Sequence, residues 1–253
     1  MPILIALCLL FSSCGIENYL FLPPVPAGDI HLELNSRAEI ALPDFDMSEY
    51  YYFSHFTIYY RIYISDSAES GDIQLSQTNL GRINSSLASH YAALSPYTNN
   101  DTTNVSAAIA SQFNTLKYYT LHLENADIDD ILGAGALGAR LTLDFAQTPG
   151  RQPTLNMNGQ EYPLYRSTGD GNFNPRPNRF FLNDTELNSS ENAGGDTVNS
   201  LINNDVANKT ISASLPRYTY VNMYILAAGS DDNYVALYSR PTHIGIFRLP
   251  DTN

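Results

Sequence analysis

Residues 56–65, Phe-Thr-Ile-Tyr-Tyr-Arg-Ile-Tyr-Ile-Ser, constrain the fold of this chain more than any other stretch. In an extended backbone Ile58, Tyr60, Ile62 and Ile64 share one face, and Tyr59, Arg61, Tyr63 and Ser65 share the other. β-Branched and aromatic residues at a period of two suit a pleated surface. A strand this apolar needs partners, and the rest of the chain offers them. Residues 29–42 read as two short strands. Alternation returns at 119–123, 139–145, 155–157 and 162–164, and again at 217–228, 234–239 and 242–249. Asn158-Gly159 between two of these runs predicts a hairpin, because both residues tolerate positive φ.

Between the strands the period changes. Leu80, Ile83, Leu87, Tyr91 and Leu94 recur at helical spacing, which predicts a helix over 79–94 that Pro96 stops. Val105, Ile109, Phe113 and Leu116 predict a second helix over 103–117. Residues 167–196 form a long polar stretch rich in Gly, Asn and Pro, of the kind that is functional or disordered. A short helix is expected at 197–207, with Asp196 as its cap and Val198, Leu201, Ile202 and Val206 inward. The sum is a mainly β chain: an antiparallel β-sandwich with an inserted helical hairpin and long polar loops.

Charge narrows the function. The formal net charge is −13, and only 15% of residues are charged. The 13 Lys and Arg residues are scattered, so nothing resembles the basic patch that a phosphate backbone requires. Asn, Ser and Thr supply the polar surface instead. The chemical motifs depend on their context. Gly133-Ala134-Gly135-Ala136-Leu137-Gly138 has the spacing of a dinucleotide loop. It follows an acidic segment and precedes a strand, so it reads as a loop rather than a nucleotide site. Asp170, Asn172 and Asn174 alternate like the first ligands of a calcium loop, but Pro175 and Phe181 occupy the turning-Gly and bidentate-Glu positions. A glycine-rich turn is the competing reading, and a different type of Ca2+ site at these three residues stays open. Glu161 and Asp144 are the carboxylates offered for a hydrolase. His31, His55, His90, His122 and His243 show no metal-ligand spacing. No other cofactor is implied.

The N-terminus carries an address. Met1 to Leu10 is uncharged and apolar, and Phe11-Ser12-Ser13-Cys14-Gly15 follows. The run is shorter than a membrane span requires. Its end resembles a bacterial lipobox of the relaxed, spirochaete-like kind. That resemblance implies that residues 1–13 are a signal peptide, that Cys14 is lipidated, and that the chain is anchored in a cell envelope, at the outer membrane. An ordinary signal peptide or a buried apolar strand is the competing reading. Residues 14–28, with Pro23, Pro24 and Pro26, would then be an extended tether, and 29–253 a single domain.

The strand-forming flanks also resemble a fibronectin type III or immunoglobulin-like sandwich. Tyr60-Arg61-Ile62-Tyr63-Ile64-Ser65 is similar to that family's third strand. Leu215-Pro216-Arg217-Tyr218-Thr219-Tyr220 is similar to its tyrosine corner, and His243-Ile244-Gly245-Ile246-Phe247 to its last strand. The resemblance implies a binding module with an insertion at about 67–215. Tyrosines make large contacts at low entropic cost, so Tyr59, Arg61 and Tyr63 are the candidate ligand face, with core packing as the alternative. The expected function is a membrane-anchored, non-enzymatic binding, adhesion or structural role with a protein or glycan ligand. A small-molecule or glycan-binding module is the second reading, and an envelope hydrolase the third.

Overall fold

The computed structural model describes residues 20–33, 36–65, 76–98, 106–123, 126–145, 152–166, 206–207 and 218–249. Along the chain these form β1 (Ile30–Glu33), β2 (Arg37–Ala41) and β3 (Phe53–Ser65). Helices α1 (Gln77–Ile83), α2 (Ser85–Thr98) and α3 (Ser106–Thr115) follow. Next come β4 (Tyr119–Thr120), β5 (His122–Leu123), the single turn α4 (Ile128–Ile131), β6 (Arg140–Asp144), β7 (Thr154–Met157) and β8 (Gln160–Tyr165). The last elements are β9 (Val206–Ala207), β10 (Tyr218–Ser230), β11 (Ala236–Tyr238) and β12 (Thr242–Arg248).

The protein is mainly β, with two antiparallel sheets packed together. The first sheet runs β1-β2-β6-β7-β8-β5. The second runs β11-β10-β3-β4, with β12 also on β10 and β9 parallel to β3. The strand at 53–65 is therefore central, and its long partner is β10, paired from Ser65↔Tyr218 to Phe53↔Gly229. Phe56, Ile58, Tyr60, Ile62 and Ile64 of β3 join Val221, Met223, Ile225 and Ala227 of β10 in the core against the first sheet. From that sheet Ala38, Ile40, Leu141, Leu143, Leu155 and Leu164 reply. The expected hairpin is present: Asn158 and Gly159 take φ of 53° and 79° between β7 and β8. Residues 140–165 supply three strands of the first sheet, so the region between β3 and β10 completes the sandwich as well as adding helices.

The helical face read from the sequence is correct in its residues, and its boundaries differ. Leu80, Ile83 and Leu87 pack together, while Leu94 packs with Ile109 and Phe113. One expected helix is two, broken at Asn84. The Asn84 side chain explains the break: its Oδ1 accepts the N–H groups of Ser86 and Leu87, capping α2, and its Nδ2 donates to the Ile64 carbonyl. Pro96 does not stop the helix, which runs two residues further, to Thr98. The helix expected to end at 207 is corrected in its described part: Val206–Ala207 is a short strand pairing Ile62 and Tyr63. The rest of that segment, 197–205, lies outside the described residues.

The N-terminal segment departs most from expectation. The tether was expected to reach residue 28, but Leu22 and Val25 are buried in the core, the Tyr52 hydroxyl donates to the Phe21 carbonyl at 2.8 Å, and Thr242 donates to the Val25 carbonyl. Leu20, Leu22 and Val25, spaced through the proline stretch, thus pack with the body.

Candidate functional site

The face of β3 carrying Tyr59, Arg61 and Tyr63 was expected to face outward. It is roofed by α1, α2 and α3. Tyr63 is fully buried, Arg61 nearly so, and Tyr59 stacks flat on Phe113 with centroids 4.4 Å apart. Burial raises the Tyr59 hydroxyl to about 12, with smaller contributions from Tyr238 and Asp129. Arg61 donates to the Lys117 carbonyl at 2.6 Å. Lys117 turns the chain out of α3 with φ of 55°, and the Tyr118 N–H closes onto the Phe113 carbonyl. That turn aims Tyr118 into the roofed space.

Five side chains from four elements and the α3 turn meet there. The Tyr63 hydroxyl lies 2.7 Å from Nδ1 of His90 and 3.0 Å from the Tyr118 hydroxyl. Asn222 donates through Nδ2 to Tyr118 at 2.8 Å, and its Oδ1 lies 2.8 Å from Nε2 of His243. The assignment that gives every hydroxyl proton an acceptor runs in one direction: His243 to Asn222, Asn222 to Tyr118, Tyr118 to Tyr63, Tyr63 to His90. It requires His90 to accept at Nδ1 and so to be neutral, whereas His243 can donate from Nε2 in either protonation state. Burial pushes each down to about 4, with the Arg61 charge adding to the effect at His90. Burial likewise drives the Tyr63, Tyr118 and Tyr224 hydroxyls well above their ordinary range. Tyr224 meets His243 edge-on at 4.9 Å, and its hydroxyl makes no hydrogen bond of ordinary geometry among the described residues. This chain ties β3, β10, β12 and α2 together. It can fix geometry and respond to protonation.

Other candidates disperse. Ser54 Oγ lies 3.1 Å from Nδ1 of His55, whose Nε2 lies 3.3 Å from Oδ1 of Asp129. Ser54 and His55 are chain neighbours on an exposed strand end, and only Asp129, from α4, comes from a second element. Asp144 and Glu161 lie on β6 and β8, with β7 between them. The register sets Asp144 opposite Thr154 and Glu161 opposite Asn156, so the two carboxylates occupy different rows. Residues 133–138 form a turn against β3 whose only helical piece is Ala134–Ala136. Among the described residues no group of three His, Cys, Asp or Glu is placed to hold a metal. Cys14, Asp170, Asn172 and Asn174 lie outside the described residues.

Apart from Leu32 on β1, the exposed large apolar residues among the described ones lie on segments joined through Tyr52. Phe21 is 64% exposed, Tyr51 56%, Tyr234 91% and Val235 57%. Tyr52 sits among them: its ring meets Tyr50 at 6.2 Å and Tyr51 at 5.3 Å, and Phe21 meets Tyr50 at 6.3 Å. The Tyr52 carbonyl accepts from Ser230 at 3.1 Å, where β10 leaves the sheet. A Cβ on Gly229 would lie 1.9 Å from that carbonyl oxygen, so only glycine permits this approach. Beyond it, Asp231 Oδ1 accepts the N–H groups of Asn233 at 2.9 Å and Val235 at 2.8 Å. The brace holds Tyr234 at φ of 61°, a left-handed conformation costing roughly 1–2 kcal/mol.

The chain matches no family model, no curated protein and no solved structure.

Its site is thus read from geometry. The two ends of the sandwich differ. At one end lie Phe21, Tyr51 and the 231–235 turn. At the other, about 40 Å away along β10, lie Ser65, Phe145, Arg166 and Tyr218, where the chain leaves toward residues 66–75, 146–151, 167–205 and 208–217. The sequence reading placed Phe21 in a tether and Tyr234 in a strand. The turn signal at Gly229–Asn233, followed directly by an aromatic residue, was the available clue.

Proposed function

We propose that this protein is an exported lipoprotein, cut before Cys14 and held at a bacterial envelope membrane by a lipid on that residue, with a non-enzymatic binding or structural body. The observation that carries the reading is where the chain joins the body. Leu20 is already packed against the core, so the link from Cys14 is six residues and spans at most about 20 Å. An anchor that short holds the end bearing Phe21 close to the bilayer and turns the opposite end outward. A protein or glycan ligand would meet the body at that outward end. No helix among the described residues is long and apolar enough to cross a membrane, so a lipid is the attachment this reading needs.

The test is metabolic labelling with a palmitate analogue in a diderm host. The wild-type chain is expected to carry label and to partition with membranes. Cys14→Ser is expected to lose both. Label or membrane retention in Cys14→Ser would overturn the reading. Protease treatment of intact cells then separates a surface location, where the body is digested, from a periplasmic one.

A further inference from the structure

The exposed aromatic residues lie where the chain emerges toward Cys14. Phe21 is seven residues from it. Tyr51 flanks Tyr52, whose hydroxyl holds the Phe21 carbonyl, and Tyr234 and Val235 project from the turn that starts beside the Tyr52 carbonyl. Exposed apolar residues gathered at one end of a soluble body mark a contact surface. Tyrosine rings, apolar in body and polar at the tip, favour the interfacial zone of a bilayer. The Asp231 brace fixes the turn that carries Tyr234 and leaves that ring 91% exposed.

We infer that this end is seated in the headgroup layer of the bilayer that holds the lipid on Cys14, with Phe21, Tyr51, Tyr234 and Val235 as the contact residues. The inference rests on the anchoring reading. The length of the link selects the occupant: six residues cannot carry this end far from the lipid surface. Charge selects the lipid. Residues 43–53 and 229–238 hold Asp44, Asp46, Glu49, Asp231 and Asp232 and no Lys or Arg. An acidic rim of this kind favours zwitterionic headgroups and is repelled by anionic ones, most strongly at low salt.

The chain has no tryptophan, so a single Tyr234→Trp substitution is a reporter free of background. The full lipidated chain carrying it would be reconstituted in phosphatidylcholine vesicles. Its emission should shift to the blue relative to detergent-free protein bearing Cys14→Ser, and lipids brominated near the headgroup should quench most of it. Tyr51→Trp should behave alike, and Tyr218→Trp, at the far end of β10, should not respond. Adding phosphatidylglycerol should weaken the shift, and salt should restore it. Mass spectrometry of the same sample reports the lipid on Cys14. A lipidated Tyr234→Trp chain whose indole is quenched by acrylamide in water and untouched by brominated lipid overturns the seating, leaves the anchor intact, and frees this end for a protein partner. Absence of the lipid overturns the anchoring reading itself.

Discussion

The two faces of β3 are both buried, by opposite means. Toward the first sheet, Phe56, Ile58, Tyr60, Ile62 and Ile64 enter a core dominated by hydrocarbon, where stability follows area and shape. Toward the helices, Arg61, Tyr63, Tyr118 and Asn222 are buried with half-buried His243 beside them, where stability depends on each donor finding its acceptor. The first kind of contact is indifferent to pH and tolerant of small shape changes. The second is directional, and losing one partner strands the next. One strand thus carries a general adhesive on one side and a specific lock on the other.

The largest effect should come from the apolar face. Phe56→Ala removes a fully buried ring that packs with Phe53 at 5.0 Å, and should cost about 3–5 kcal/mol in urea unfolding. That loss should be the same at pH 7 and pH 5. A pH-dependent loss would erase the contrast between the faces.

Of the two faces, acid should act on the lock. His90 and His243 sit at about 4 in the folded protein, against about 6.5 for a free histidine. Because the folded values are depressed, their contribution is fully present above about pH 6.5 and is lost as pH falls toward 4. At roughly 1.4 kcal/mol per unit, with both half-buried histidines discounted for their exposure, the total loss should be a few kcal/mol. His243→Gln keeps a donor toward Asn222 without a titrating ring. It should flatten the pH dependence of the unfolding midpoint between 6.5 and 4; an unchanged slope would place the acid sensitivity elsewhere.

The smallest effect sharpens the comparison within the lock. The Tyr118 hydroxyl joins Asn222 to Tyr63, whereas the Tyr224 hydroxyl makes no such bond among the described residues. Tyr118→Phe should cost about 1–2 kcal/mol, and Tyr224→Phe should lie within about 0.5 kcal/mol of wild type. Equal costs in chemical denaturation would mean that burial, not bonding, sets the value of these hydroxyls.

These contrasts also explain what the sequence could convey. Alternation in 56–65 identified the strand and both of its faces, because a period of two is a local property. The fate of the second face was not local. Tyr59 and Tyr63 suit a binding surface or a packed one, and the decision lay with Leu80, Leu87, Ile109 and Phe113, whose helical stripe needed a surface to cover. The hairpin at Asn158-Gly159 was legible because the turn itself demands those residues. The break at Asn84 was not, since its cause is a bond to Ile64, twenty residues away. The buried chain from His243 to His90 could not be read at all: its members stand at 63, 90, 118, 222 and 243 and meet only after β3 and β10 pair. Phe21 and Tyr234 stayed hidden for a related reason. Composition marks them as apolar, and only the docking of Leu22 and the brace from Asp231 leave them outside.

The pairing of β3 with β10 joins residues 153 to 176 positions apart, as from Ser65↔Tyr218 to Phe53↔Gly229. Closing so long a loop comes before any of the contacts that reward it, which makes for slow folding. The central sheet also cannot be completed until β10 has been synthesised. On the proposed lipoprotein reading the chain would cross a membrane as an extended thread, and the residues ahead of β10 would hold no finished central sheet to jam that passage. The late arrival of β10 would then act as a timer for completion of the body.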